Sequence, residues 1–194
     1  EKALLELRNM RSVVDNMEQT QREPIAIIGM GCRFPGGADN PESYWDLLRD
    51  GVDAIKEIPS QRWDVEEFYD SNPKVKGKMY AKYGGFLDEV DKFDAQFFGI
   101  SPREAVNLDP QQRLLLEVSW EALEHSGIAA DKLKGSSTGV FVGLSMDDYS
   151  QLSFNSGDRT QIDAYNTLSI LRSMAAGRLA YTLGLQGATM QLDT

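Results

Sequence analysis

The side chains of this sequence that could do chemistry are few and widely separated. Its 194 residues include one cysteine, Cys32, and one histidine, His125. A reactive thiol needs a base or positive charge beside it, and a zinc site needs several nitrogen or sulfur ligands. Asp147 and Asp148 could bind a cation together, but no further ligand stands at a regular spacing from them. We therefore expect no metal site and no complete catalytic set within this chain.

A glycine-rich segment suggests a second possible function, the binding of a nucleotide phosphate. An apolar run, Ile25–Ile28, predicts a buried strand, and a loop with Gly29, Gly31, Gly36 and Gly37 follows it. A dinucleotide-binding loop would need glycine or alanine where Phe34 stands, and a phosphate loop would need Gly-Lys-Ser or Gly-Lys-Thr. Because neither pattern is present, these glycines indicate tight backbone turns instead.

The composition excludes other classes of protein. The chain has 30 acidic and 20 basic residues and a formal net charge of −10, whereas nucleic-acid-binding proteins usually carry a basic patch. No apolar run approaches the roughly 20 residues of a membrane helix, and the N-terminus lacks the apolar core of a secretory signal. A single cysteine favours a reducing compartment. We expect a cytoplasmic protein that binds neither nucleic acid nor membrane.

Predicted strands and helices alternate after residue 22, which indicates an α/β fold. Asn40-Pro41, Ser101-Pro102 and Asp109-Pro110 each pair a capping residue with proline and mark helix starts. Gln112 stands at the third position after Asp109, close to a capping box. Strands are predicted over residues 138–145 and 188–192. A mostly apolar helix over 170–183 contains Gly177, which predicts close packing against another backbone.

The first 22 residues differ from the rest. Apolar residues recur there at the alternating spacing of four and three that is typical of a coiled-coil seam: Ala3, Leu7, Met10, Val14 and Met17. Pro24 ends the pattern, since proline cannot continue a helix. The alternative is an amphipathic helix packed on its own domain. We expect residues 1–22 to form a coiled-coil docking and dimerisation helix that precedes a separate unit, residues 23–194.

Five motifs follow in order over that second unit, at residues 23–36, 97–104, 109–117, 120–124 and 176–181. They begin with the sequences Glu-Pro-Ile-Ala-Ile-Ile-Gly-Met-Gly-Cys-Arg-Phe-Pro-Gly, Phe-Phe-Gly-Ile-Ser-Pro-Arg-Glu, Asp-Pro-Gln-Gln-Arg, Trp-Glu-Ala-Leu-Glu and Ala-Gly-Arg-Leu-Ala-Tyr. Together they resemble the β-ketoacyl synthase (ketosynthase) domain of modular type I polyketide synthases. The resemblance runs without a break from about residue 23 to residue 194.

The resemblance implies a thiolase-like α-β-α-β-α fold, of which this chain would be the N-terminal half. In the family, the last strand leads into Asp-Thr-Ala-Cys, whose cysteine is the nucleophile. Asp193 and Thr194 match the first two of these residues, so the nucleophile is expected two residues after Thr194. Neither Cys32 nor His125 matches a catalytic residue of the family, and we expect the 194-residue segment alone to be inactive.

The resemblance also implies substrates and partners. The complete domain would accept an acyl chain from an upstream acyl carrier protein and condense it with malonyl-carrier protein. Both groups are carried on phosphopantetheine, and no cofactor is bound directly. Met146, Tyr165 and Asn166 would line the acyl channel or the dimer contact, although plain interface packing explains them equally well.

The seam residues Leu7, Met10, Val14 and Met17 would form a homodimer contact that receives the C-terminal docking segment of an upstream synthase polypeptide. Two alternatives stay open. One is a dimerisation and docking module without activity, and the other is a decarboxylating loading ketosynthase with glutamine in place of the cysteine.

Overall fold

The computed structural model describes residues 8–15, 23–155 and 171–193, together with Glu6, Met17 and Ser169. Residues 8–15 are helical. The helices that follow in this described part are α1 (Pro41–Arg49), α2 (Val65–Phe68), α3 (Pro102–Asn107), α4 (Pro110–His125), α5 (Asp148–Asn155) and α6 (Met174–Leu183), with a 3₁₀ turn at Ala130–Leu133. The strands are β1 (Ile55–Glu57), β2 (Tyr83–Gly85), β3 (Val140–Gly143) and β4 (Thr189–Leu192).

The described strands form two separate pairs. β1 and β2 are antiparallel, with Ile55 opposite Gly85. β3 and β4 are parallel, with Val140 opposite Thr189. Parallel strands need a crossover connection, and α5 and α6 both lie between β3 and β4 in the chain. This alternation of strand and helix confirms the α/β class.

The hydrophobic core lies between the parallel pair and the helices α4 and α6. Its buried members come from α4, β3 and α6 and from the segments on either side of α3: Ile100, Leu108, Leu116, Val140, Val142, Ala176, Leu179 and Ala180. Along β3, Val140 and Val142 point into this core while Phe141 is 66% exposed on the other face. Since parallel sheets are normally covered on both faces, one face of the pair β3–β4 is open in the described chain.

The predicted helix starts are confirmed at their capping residues. Asn40 accepts a hydrogen bond from the backbone of Ser43 at 2.8 Å, and Ser43 completes the capping box of α1. Ser101 caps α3. Asp109 caps α4 by accepting from the backbone of Gln111 at 2.8 Å. The role predicted for Gln112 in that cap is wrong, because its side chain turns away to another segment of the chain.

The predicted strand at Ile25–Ile28 is also wrong. The segment is irregular, and Ile25 is 95% exposed. A strand needs a neighbour for its backbone hydrogen bonds, and no described residue pairs with this segment. The backbone after it instead runs against α4. A Cβ at Gly29 would overlap the carbonyl oxygen of Ala122, and one at Gly31 would lie 2.5 Å from that of Val118. Gly29 and Gly31 therefore permit close approach and not a turn, whereas the predicted turn is confirmed at Gly36 and Gly37, which have φ of 88° and 77°.

The predicted helix over 170–183 is shorter in the structure. α6 begins at Met174, because Leu171 is irregular and Arg172 and Ser173 form a turn. Close packing at Gly177 is contradicted within the described part of the chain, where a Cβ would meet no atom within 4 Å beyond its chain neighbours and its own helix backbone. The close approach occurs at Gly187, where a Cβ would lie 2.5 Å from the carbonyl oxygen of Ser137.

Candidate functional site

The parallel strands β3 and β4 end side by side and define one edge of the molecule. Gly143 is opposite Leu192, and the next amide, that of Leu144, donates to the carbonyl of Leu192 at 3.1 Å. Asp193 follows β4 directly. In open α/β sheets, binding sites lie beyond the carboxyl ends of parallel strands. This carboxyl edge is therefore where the fold would place a site.

A single guanidinium spans that edge. The Arg172 Nη1 donates to the Asp193 Oδ2 at 2.6 Å and also to the carbonyl oxygen of Ser145. Its Nε lies 3.9 Å from the Asp147 Oδ2. Arg172 thus bridges the segment after β3 and the segment after β4. Because Asp147 is engaged with this guanidinium, the pair of carboxylates at Asp147 and Asp148 has a protein partner where a cation would otherwise bind.

The amide of Gln191 adds a second link at the same edge. Its Nε2 donates to the carbonyl of Leu144 at 3.3 Å. Its Oε1 is buried and has no hydrogen-bond partner among the described residues. A buried acceptor without a partner costs stability, so β4 carries an unused acceptor close to its end.

The start of α4 holds the loops behind this edge through three consecutive side chains. Gln111 donates to the carbonyl of Met146 at 3.0 Å. Gln112, which is buried, donates to the carbonyls of Ser169 and Leu171, each at 3.2 Å. Arg113 serves a separate set of carbonyls. Two of the held segments, at residues 145–147 and 169–172, are those that carry the groups of the carboxyl edge.

Gln112 is itself oriented by a charged pair. Arg178 of α6 donates through Nε to the Gln112 Oε1 at 3.2 Å and forms an ion pair with Glu104 of α3. Both side chains of that pair are mostly buried. Every polar end of the Gln112 amide is therefore used, and helices α3, α4 and α6 are joined through it. A fully satisfied buried network of this kind fixes geometry.

The buried Arg113 is the other fixed point of α4. Its Nε donates to the carbonyl of Leu108 at 2.7 Å, its Nη1 to that of Asp91 at 3.2 Å, and its Nη2 to the hydroxyl of Tyr149 at 3.2 Å. The Tyr149 hydroxyl in turn donates to the carbonyl of Val106 at 2.7 Å. These bonds tie the loop before α3, the end of α3 and helix α5 to α4.

A second polar cluster lies in a cleft of about 730 Å³ between α4 and the segments at 33–39 and 86–94. Arg33 forms a bidentate ion pair with Glu121, one contact of which is 2.6 Å. Burial raises the pKa of the neighbouring Glu117 carboxyl, although the charge of Arg33 opposes that shift. The remaining lining carboxylates face solvent. We find no arrangement of groups here that would do chemistry.

The surroundings of Cys32 and His125 do not favour a catalytic role for either residue. Burial raises the pKa of the Cys32 thiol, despite the opposing charge of Arg33, which disfavours the reactive thiolate. The Nδ1 of His125 accepts from the backbone amide of Met30 at 3.2 Å, so this nitrogen carries no proton in the bond. The described residues contain no group of three or more His, Cys, Asp or Glu side chains that could hold a metal ion.

The predicted channel residues divide into one described and two undescribed positions. Met146 lies at the carboxyl edge, and its side chain is 59% exposed. Tyr165 and Asn166 lie outside the described residues, as does Thr194. The role of Met146, Tyr165 and Asn166 as channel or dimer-contact residues stays a prediction.

The predicted seam is described at Met10, Val14 and Met17, whereas Leu7 lies outside the described residues. Each of the three described side chains is more than half exposed. No helix in the described part of the chain is long and apolar enough to cross a membrane.

Sequence reasoning missed Arg172, Gln111 and Gln112 as groups that organise the edge. The motif Asp-Pro-Gln-Gln-Arg could have indicated this role. A helix cap needs only Asp109, so the two amides and the guanidinium that follow it are available to bond other segments. Arg172 carried no signal of its own, because its partners are distant in the chain: Ser145, Asp147 and Asp193.

Comparison with solved structures defines the class of protein. The oxazolomycin ketosynthase domain OzmH KS7 of Streptomyces albus JA3453 superposes with a TM-score of 0.77 and 37% sequence identity. The match covers 87% of this chain and 28% of that chain. The fold is accordingly that of the N-terminal part of a thiolase-like ketosynthase.

The chain belongs to the β-ketoacyl synthase family, because the model of the family's N-terminal domain matches residues 22–194. It is 54% identical over 172 residues to one polypeptide of the phenolphthiocerol/phthiocerol polyketide synthase of Mycobacterium tuberculosis, covering 89% of this chain and 9% of that relative. It is 47% identical over all 194 residues to phenolphthiocerol synthesis polyketide synthase type I Pks15/1 of Mycobacterium marinum, again spanning 9% of the relative's length. These matches confirm the resemblance to type I polyketide synthase ketosynthases.

Proposed function

We propose that this chain is the N-terminal part of an extending polyketide synthase ketosynthase. In the complete domain, this enzyme would take an acyl chain from an upstream carrier protein and condense it with malonyl-carrier protein, with loss of CO₂. The observation that carries the proposal is the carboxyl edge of β3 and β4, where Asp193 directly follows the strand that would lead into the nucleophile. Membership of the β-ketoacyl synthase family supports the same reading.

The proposed chemistry is covalent. A cysteine two residues after Thr194 would lie where a strand turns into a helix, and the N-terminal end of that helix would favour its thiolate. The thiolate would attack the phosphopantetheine thioester of the acyl carrier protein, and the carrier thiol would leave. The enolate formed from malonyl-carrier protein would then displace the cysteine sulfur, which lengthens the chain by two carbons.

The open face of the parallel pair supports the idea that other residues complete the domain. Phe141 is 66% exposed and Met190 is 49% exposed on adjacent strands. A second half of the domain would cover this face and supply the remaining catalytic groups. We therefore propose that residues 23–194 alone are marginally stable and inactive, and detectable condensation by the isolated chain would overturn this.

Acyl loading of the longer polypeptide tests the main proposal. It is incubated with acyl-carrier protein, and the mass of its tryptic peptides is measured. We expect an acyl thioester on the peptide that follows Asp193. Decarboxylation of malonyl-carrier protein without acyl loading would instead favour the loading ketosynthase that has glutamine in place of the nucleophile.

Residues 1–22 are proposed to dimerise and to dock an upstream synthase polypeptide. The observation that favours this second role is the exposure of Met10, Val14 and Met17, which the described domain leaves uncovered. Apolar a and d positions of a short helix gain stability when a partner helix covers them. The partner would be an apolar helical segment with charges complementary to those beside the seam.

A seam variant and an off-seam variant of the same helix test docking. Val14→Asp places a charge on the seam, whereas Ser12→Asp places the same charge beside it. We expect only the first to weaken binding of the upstream docking segment, as measured by titration calorimetry. Equal binding by both variants would contradict the seam. The cytoplasmic location and the homodimer stay predictions, and analytical ultracentrifugation checks the latter.

A further inference from the structure

Arg172 contacts both segments that leave the carboxyl edge, the one after β3 and the one after β4. It stands in the turn just before α6, where the amide of Ala175 donates to its carbonyl at 2.9 Å. From there the guanidinium reaches Ser145 and Asp147 after β3 and Asp193 after β4. The planar fork of arginine presents donors to several segments in one fixed geometry, whereas the ammonium group of lysine is a point charge on a flexible stem.

The backbone of this residue is held from behind. The buried Gln112 donates to the carbonyls of Ser169 and Leu171, and Arg178 orients the Gln112 amide. The amide of Asp109 also approaches the carbonyl of Ser169, at 3.4 Å. The buried network thus fixes the backbone of Arg172. Its guanidinium in turn holds the segments after β3 and β4 in place relative to the core.

The ion pairs themselves contribute little to stability. The side chain of Arg172 is 34% exposed, and those of Asp147 and Asp193 are about half exposed. Water and salt screen pairs of this exposure, so their loss seldom destabilises a fold. Removal of Arg172 should therefore change the free energy of unfolding little. Because Arg172 joins the segments after both strands, its role is to position those segments at the edge where the reaction is proposed.

We propose that Arg172 is a positioning residue for the nucleophile, an inference that rests on the proposed ketosynthase function. By holding Asp193 against the segment after β3, Arg172 fixes the direction in which the chain leaves β4. The proposed thiol follows three residues after Asp193, so that direction sets where its sulfur meets the thioester. Misplacement of reacting groups by about 1 Å can cost as much as 100-fold in rate.

The test uses single-turnover acylation of the complete polypeptide by acyl-carrier protein. Arg172→Ala is compared with Arg49→Ala, which removes a guanidinium paired with Asp46 and Asp50 on exposed helix α1. We expect Arg172→Ala to slow acylation by at least about tenfold at saturating substrate, with an unchanged KM and unfolding temperature. Arg172→Lys, which keeps the charge but loses the fork, should restore only part of the rate. The Arg49 variant should match the parent.

A double-mutant cycle identifies the partner. Asp193→Asn should slow acylation by itself, and the double variant should be little slower than either single variant, because both remove the same contact. Additive effects would overturn the positioning role, as would a rate for Arg172→Ala equal to that of Arg49→Ala.

A loss of rate that is matched by a lowered unfolding temperature would make Arg172 structural and would also overturn the proposal. If Arg172→Ala fails to fold, the lysine variant and Asp193→Asn decide by the same criteria. An unsubstituted polypeptide that does not load an acyl group overturns the proposed ketosynthase function and this inference with it. Loading by the parent with no effect of the variants overturns this inference alone.

Discussion

The parallel pair β3–β4 and the antiparallel pair β1–β2 are both short, but different forces hold them. The parallel pair packs its core face on α6, and the segments that flank its carboxyl edge are held by Gln111 and the buried Gln112 of α4. Every residue of β1 is exposed, and the antiparallel pair is accompanied by surface ion pairs, Lys56–Asp88 at 3.3 Å and Lys82–Glu57 at 3.0 Å.

This difference shows that the contribution of a polar residue to stability depends on how deeply it is buried. Hydrogen bonds from a buried guanidinium are shielded from competing water, and losing them removes a partner from each carbonyl that they reach. Ion pairs in water compete with solvent and with side-chain entropy. The proposed site belongs to the pair behind which the buried Gln112 holds the backbone, although Arg172 and its partners at the edge itself are partly exposed.

The largest effect is expected at Arg113. Arg113→Ala removes donors from the carbonyls of Leu108 and Asp91, and it should lower the free energy of unfolding by about 3 kcal/mol or more. Urea unfolding followed by tryptophan fluorescence measures this. The exposed Arg49→Ala is the control, and similar losses from both variants would break the contrast between buried and exposed guanidinium groups.

The glycine at the start of β4 tests the close packing of the parallel pair. In Gly187→Ala, the new methyl group would overlap the carbonyl of Thr138, which belongs to the backbone and cannot turn aside. We expect a loss of about 2–3 kcal/mol in the free energy of unfolding. Thermal unfolding followed by circular dichroism measures it.

Two other glycines sharpen that result. In Gly85→Ala of the antiparallel pair, the new methyl group lies 2.8 Å from the Cγ of Pro35, a side-chain atom that can shift, so the loss should be smaller. In Gly177→Ala of α6, the new methyl group meets no atom of the described residues within 4 Å outside its own helix backbone and chain neighbours, so this variant should gain about 0.5–1 kcal/mol. A loss at Gly177 as large as that at Gly187 would contradict the difference in packing between the two glycines.

A smaller, pH-dependent effect is expected at Glu117, in the cleft between α4 and the segment after β2. Burial raises the pKa of its carboxyl in the folded state, so the folded state favours the protonated form. This favourable contribution is present at low pH and is lost as the pH rises through the raised pKa. Glu117→Gln should therefore stabilise the protein at pH 7 by less than about 1 kcal/mol.

The sign of that effect is checked by repeating the denaturation at falling pH. The advantage of Glu117→Gln over the parent should shrink as the pH drops into the range where the parent's carboxyl becomes protonated. An advantage that grows on acidification would show that the charge of Arg33, and not burial, dominates the environment of Glu117.

The smallest effect is expected at the antiparallel pair. Lys56→Ala removes one exposed ion pair with Asp88 and should change the free energy of unfolding by no more than about 0.5 kcal/mol. The residual effect should vanish at about 1 M salt, where exposed charges are screened. A loss comparable to that of Arg113→Ala would mean that buried and exposed polar groups contribute equally to the stability of the fold.

Local features of this chain could be predicted because neighbouring residues decide them. Asn40, Ser101 and Asp109 cap their helices as predicted, since a capping oxygen bonds amides only two or three residues away. α4 ends at His125 and is followed by Gly127 with φ of 69°, a value that glycine adopts without strain. The strand Thr189–Leu192 was likewise predicted within one residue.

Features that depend on distant contacts could not be predicted in the same way. Ile25–Ile28 has the apolar, β-branched sequence of a strand, but strand formation needs a neighbour and none of the described residues supplies one. Gly177 was expected to mark a close approach, whereas Gly187 makes it. Nothing in the sequence around either glycine tells which one faces another backbone.

The sequence by itself determined the α/β class, the helix starts and, through five ordered motifs, the family, because these depend on residue types at short spacings. Only the tertiary structure decided which polar groups act together. It brings Arg172 and Asp193 together at one strand edge and places Gln112 of α4 behind them, although the three residues are far apart in the chain. This arrangement depends on how the chain crosses over between β3 and β4, and the local sequence pattern does not predict that connection.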